Sequence, residues 1–136
     1  MAQEVNGVIK TFKAFAASIA AYRIVAAGTG KNVARLADTS TCFLIGVSAN
    51  DISATGQALS VVLNGTAKCM CGASVSSGAL LSFQTDTGKC IEALASAYNH
   101  TTTTIIPRTI GVALQAGSTN SVIEILVNPN NVKFNL

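Results

Sequence analysis

The sequence predicts an all-β fold: a compact β-barrel or sandwich built from two pseudo-repeated β units, preceded by an N-terminal arm or short helix. Three observations carry that prediction. Blocks of the chain recur in the same order, apolar residues inside the blocks alternate with period two, and glycine-bearing turns separate them at short intervals.

The repeat has three blocks. Thr29-Gly30-Lys31 with the run to Ala37 matches Thr87-Gly88-Lys89 with the run to Ala95, at an offset of 58. Ile45-Gly46-Val47 matches Ile110-Gly111-Val112 at 65, and Leu59 to Asn64 matches Ile123 to Asn128 at 64. Tyr98 to Thr104 is an insertion of the length that separates the first two offsets. The boundaries that follow are an arm over 1–21, a β domain over 22–129 with pseudo-repeats of about 22–71 and 72–129, and a tail over 130–136.

Taken in order, the arm carries Val8, Ile9, Phe12, Phe15 and Ile19 at spacings of one, three, three and four. That spacing allows a short amphipathic helix, and the Ala-rich run Ala14 to Ala21 has the propensity for one. Such a segment either folds onto its own domain or reaches a neighbouring subunit. The Thr-Gly-Lys blocks, with Val33 and Leu36 three apart and Ile91 and Leu94 likewise, fit a bulge better than a clean strand. Phe43, Ile45 and Val47 then share one strand face, as do Ile110, Val112 and Leu114. Leu59, Val61 and Leu63 form a second apolar face, echoed by Ile123, Ile125 and Val127, with Ser60 and Glu124 on the reverse. Asn64-Gly65, between Leu59–Leu63 and Thr66–Cys71, has the composition of a two-residue hairpin turn. Asn128-Pro129 marks the exit from the sheet, since proline cannot donate to a ladder.

Composition narrows the function classes. Of 136 residues, 49% are apolar and 11% charged, a balance that favours a packed domain and leaves a bland surface suited to burial against partner subunits. The net charge of +3 comes from scattered cations, and the seven aromatics include no Trp, so no nucleic-acid partner is expected. No membrane span is expected either, because Ala14 to Ala21 is far short of the roughly 20 residues needed. Lys10 and Lys13 ahead of that run sketch a secretion signal, but Glu4 and the lack of Leu or Val favour synthesis in a cytoplasm.

No motif for catalysis is complete. Both Gly-Lys pairs fail the phosphate-loop pattern, since Asn32 and Cys90 follow the lysines and Val25 and Phe83 stand where its first glycine belongs. They read as solvent-facing turns. Cys69-Met70-Cys71 is too tight for a zinc pair, and His100, the single histidine, has no cysteine near it in sequence. Cys42, Cys69, Cys71 and Cys90 are therefore expected to be buried free thiols, with no metal and no cofactor. The six acids form no pair suited to proton transfer; Asp51 and Asp86 sit in turn-like contexts where they would cap their own backbone. Asn64-Gly65-Thr66 and Asn99-His100-Thr101 match a glycosylation pattern that is common by chance. The chain is expected not to be an enzyme.

The segment Ile45-Gly46-Val47, a glycine turn, and Leu59 to Thr66 (LSVVLNGT), followed by Gly72 to Leu81, resembles the small bacteriophage capsid cement, or head decoration, proteins. Ile110 to Leu114 and the β run closing in Asn128-Pro129 resemble their C-terminal part, so the likeness spans roughly Tyr22 to Pro129. The resemblance implies a virion protein on the capsid exterior, bound to the major capsid protein, often as trimers, with no catalytic residues. Val8, Ile9, Phe12 and Phe15 lie outside it and are the expected capsid or subunit contacts. The rival readings are another phage or surface assembly subunit such as a tail or spike, a small ligand-binding β-barrel, and an enzyme.

Overall fold

The computed structural model describes residues 7–15, 18–37, 43–84, 87–93 and 108–130. Nine strands form within them: β1 Gly7–Ala14, β2 Ile24–Ala27, β3 Val33–Leu36, β4 Leu44–Ser48, β5 Ala58–Met70, β6 Leu80–Phe83, β7 Cys90–Glu92, β8 Thr109–Ala113 and β9 Val122–Asn130. They follow the order β1-β3-β2-β4-β5-β9-β8-β6-β7. Strand β1 pairs in parallel with β3 and antiparallel with β5, so β1, β3, β2, β4 and β5 close into a five-stranded barrel. The remaining four strands continue from β5 as a second sheet.

The strand order is palindromic about the β5–β9 seam, β3-β2-β4-β5 against β9-β8-β6-β7, and this is the repeat seen in the sequence. Register proves it. Val47 faces Val62 and Ser48 faces Val61 in the first unit, while Val112 faces Leu126 and Ala113 faces Ile125 in the second. These pairs stand at the offsets of 65 and 64 that the sequence shows. The third block is corrected: Val25↔Leu36 and Ala27↔Ala34 correspond to Leu81↔Glu92 and Phe83↔Cys90, an offset of 56 in place of 58. The Thr-Gly-Lys triplets both lie in hairpin connections but two residues out of step. The first is centred on the β2–β3 turn, where Gly30 (φ 109°) and Asn32 (φ 58°) reverse the chain. A strand, and no bulge, follows each triplet.

The core has two chambers. Ala14, Ile19, Val25, Ala34, Ile52, Leu59 and Val61 fill the barrel, with Phe12, Leu36, Ile45 and Leu63 packed against them. The second chamber joins the outer face of the barrel (Ile24, Ala26, Leu44, Val47, Val62) to the inner face of the second sheet (Leu81, Phe83, Ile110, Ala113, Ile123, Ile125, Val127). Strands β2 and β4 are thus buried on both sides, which explains their unbroken apolar runs. The one polar side chain among them, Ser48, donates to the carbonyl of Ala20 (2.8 Å) and accepts from the Arg23 amide (3.0 Å).

Several sequence expectations are overturned. Gly7–Ala14 is a barrel strand and no helix, because Val8, Ile9, Thr11 and Phe12 suit a strand and the ladder to β5 and β3 supplies its backbone partners. Asn64-Gly65 is no hairpin. Of the two, only Gly65 takes positive φ (105°), whereas a type I′ turn needs both, and β5 runs through the site. The dipeptide instead marks where β5 leaves its barrel neighbours β1 and β4 and pairs with β9. Strand β9 continues past Pro129 to Asn130. Thr109 faces Asn130 and Gly111 faces Val127, so proline occupies a register shift where no ladder donor is required. Phe43 lies before β4 and is exposed; a register shift against β2 places Leu44 with Val47 in one chamber and turns Ile45 to the other. Leu114 is likewise exposed beyond the end of β8. Cys42, Asp38, Asp86, Asn99, His100 and the Tyr98 to Thr104 insertion lie outside the described residues.

Candidate interaction surfaces

Strand β1 divides the four expected contact residues. Val8 (58% exposed), Ile9 (46%) and Phe15 (56%) present their side chains to solvent. Phe12 does not: it packs against the barrel interior, with Lys10 Nζ 5.4 Å from its ring centroid. The β1 register against β5 shifts between Val8 and Ile9, and the outer part of β1 is exposed from Gly7 to Thr11. An apolar strand end held by a ladder, yet with both faces uncovered, is suited to receiving a partner surface.

A second apolar surface was not foreseen in the sequence. It is the outer face of the second sheet. Leu80 lies opposite Val112, Val112 opposite Leu126 and Leu126 opposite Thr66, one row across four strands. Leu80, Leu114, Val122 and Leu126 supply four of the nine exposed large hydrophobics among the described residues. Their signal lay in the repeat: Val112 and Leu126 correspond to Val47 and Val62, which are buried. The two units carry apolar residues at these matching positions, but only the first has its outer face covered.

The chemistry-bearing side chains are occupied structurally. Cys69, Cys71 and Cys90 are fully buried and free, with the Cys90 Sγ donating to the Cys71 Sγ at 3.9 Å. Burial, then the charge of Cys90, pushes the Cys71 thiol up to about 11. Hydrogen bonding to Cys69, then burial, pushes Cys90 up as well. Thiols so protonated are poor nucleophiles at neutral pH. Among the described residues, no three His, Cys, Asp or Glu side chains come together as a metal site. Asp51 caps the distant Ala21 amide (2.7 Å), not its own turn, and Glu92 accepts from the Ser76 amide (2.7 Å). A surface depression of about 360 Å³, lined by Thr11, Phe12, Lys13, Asn32, Gly56 and Ala58, holds a single titratable group, Lys13.

The described residues thus form a five-stranded barrel with a related sheet stacked on its flank, and large apolar side chains are exposed on both. Among solved structures the chain is similar to the N base of the head fibre gp8.5 of bacteriophage phi29, with a TM-score of 0.63 at 14% identity, over 89% of this chain and 93% of that one. The two share a fold. No protein-family model matches the sequence, and a search of curated proteins finds no relative.

Proposed function

We propose that this chain is a structural protein of a phage virion that binds the outer surface of the assembled head and stabilises it as a cement or decoration protein. It acts by contact and catalyses no reaction. Its partner is the major capsid protein, it works as a closed oligomer with a trimer favoured, and it joins the capsid exterior after synthesis in the host cytoplasm. The observation that carries this reading is the fold shared over nearly the whole chain with the base of a phage head fibre. The exposed end of β1 supports it as the capsid contact, and a rigid body with sparse charge supports it further, since little entropy is lost on docking.

Cosedimentation tests it. The protein is mixed with heads assembled from the capsid protein of the same genome, and the head fraction is assayed. Binding is expected, with a loss of at least about tenfold in Val8→Asp/Ile9→Asp at unchanged melting temperature. Wild-type protein that stays out of the head fraction at saturating concentration would sink the proposal. Removal of residues 1–21 is unsuitable, because it also removes Ala14 and Ile19 from the barrel core. A second reading, a base that carries a longer fibre, is favoured by the neighbour's being such a base; a bound particle with a projecting fibre would distinguish it.

A further inference from the structure

The pseudo-symmetry sets a surface that is covered beside one that is not. In the first unit the row Ile24–Val47–Val62 is 0%, 0% and 3% exposed, sealed beneath the inner face of the second sheet. Its counterpart in the second unit, at the same register positions, is Leu80–Val112–Leu126, with Leu80 and Leu126 more than 40% exposed. The side chains are of the same kind in both rows, and so is the strand pairing behind them. Only the cover differs, and in the first unit that cover is a sheet face of this chain.

We infer that the outer face of β6, β8 and β9, centred on Leu80, Val112 and Leu126, is a self-association surface, covered in the assembled protein by another copy of this chain. Charge supports that occupant. In the next row of the same face Glu124 stands in register with Lys68, one acid beside one base, both exposed. A strongly basic or acidic partner would be repelled by one of them. A copy of this chain brings an identical pair, which a rotation about the contact sets base to acid. The groove that Leu80 and Leu126 border, about 160 Å³, has Gly111 in its floor and Asn128 and Asn130 at its edge, giving the apolar centre and polar margin of a protein–protein contact.

The inference rests on the assembly reading above and adds a division of labour: the second sheet binds copies of the chain, which leaves the end of β1 for the capsid. Removing an exposed Leu from this face costs the fold little, whereas introducing Lys at a buried contact costs association heavily. Sedimentation velocity of the full chain over a range of concentrations is the test. The wild type is expected to form a discrete oligomer whose order the experiment reads. Leu80→Lys/Leu126→Lys is expected to weaken association by at least about 100-fold while keeping its melting temperature, and Phe43→Ser, an exposed apolar residue off this face, is expected to leave it unchanged. Should the lysine pair unfold the chain, Leu80→Ser/Leu126→Ser takes its place. A wild type that stays monomeric, or a folded double variant that associates as the wild type does, overturns the inference. A monomer that still pellets with heads removes self-association alone; an oligomer that ignores heads removes the capsid reading alone.

Discussion

Gly46 and Gly111 are the same residue of the two β units, and their replacement by alanine tests the repeat at the level of atoms. Each sits in a strand whose partner passes close by. A Cβ on Gly46 would overlap the carbonyl oxygen of Val62 and lie 2.8 Å from Val61 Cγ1 and 2.9 Å from the Val62 carbonyl carbon. A Cβ on Gly111 would overlap the carbonyl oxygen of Leu126 and lie 2.9 Å from its carbon. Because Val62 and Leu126 are themselves repeat partners, the two collisions are one collision seen twice. The obstacle is backbone, so no rotamer change relieves it. Overpacking of this kind costs about 1–3 kcal/mol, and parting the strands adds one or two ladder hydrogen bonds at about 1 kcal/mol each. The expected loss is roughly 2–5 kcal/mol per site, against a total stability of about 5–15 kcal/mol. Thermal melts followed by circular dichroism should show drops on the order of 10–20 °C for Gly46→Ala and Gly111→Ala. Gly56→Ala is the control: φ is +88° there but no atom lies within 4 Å, so only backbone strain of about 1 kcal/mol applies. Equal losses at Gly46 and Gly56 would refute the reasoning.

The sequence carried the repeat because the strands that built it, β4 with β5 and β8 with β9, keep one register in both units. Short-range pattern sufficed for Leu59–Val61–Leu63 and Ile123–Ile125–Val127, which face core as their alternation implies. It failed where a strand changes partner. Asn64-Gly65 has hairpin chemistry, yet a long strand shared by two sheets needs one flexible residue at the crossover, and the local sequence of the two cases is alike. Strand β1 was misread because its partners are some fifty residues away in β5, beyond the reach of any window. Register shifts hid the true facing of Ile45 and admitted Pro129 into β9. Of the candidate site, Val8, Ile9 and Phe15 were legible as apolar residues with no place in the repeat. The Leu80–Val112–Leu126 face was not, since nothing in a strand's own alternation tells which of two apolar faces has a neighbour.

Further outcomes follow from the same structure. Phe12→Ala should cost about 2–3 kcal/mol in chemical denaturation, since Phe12 packs on the barrel interior, while Phe15→Ala, at an exposed position, should stay within about 0.5 kcal/mol. Cys69, Cys71 and Cys90 should resist an aromatic disulfide reagent at pH 8 in the native protein and react within minutes in denaturant; rapid native labelling of any of the three, read by peptide mass, would contradict their burial. Cys71 and Cys90 also give stability a pH dependence: both bind protons more tightly folded than unfolded, so their contribution is complete below the unfolded value near 9; that of Cys71 is lost as pH rises to about 11, and that of Cys90 goes on falling above it. The loss should approach about 1.4 kcal/mol per pH unit per thiol over that window, and Cys90→Ala should flatten the slope; an unchanged slope would assign the dependence elsewhere.

The proposed function requires a β body that binds the outside of a phage head. Electron cryomicroscopy of heads incubated with the purified protein measures this most directly. Ordered density is predicted at repeated positions on the outer shell, fitting the barrel and its stacked sheet, with the end of β1 towards the capsid and the Leu80–Leu126 face towards a second copy. Bare heads at saturating protein would contradict the account.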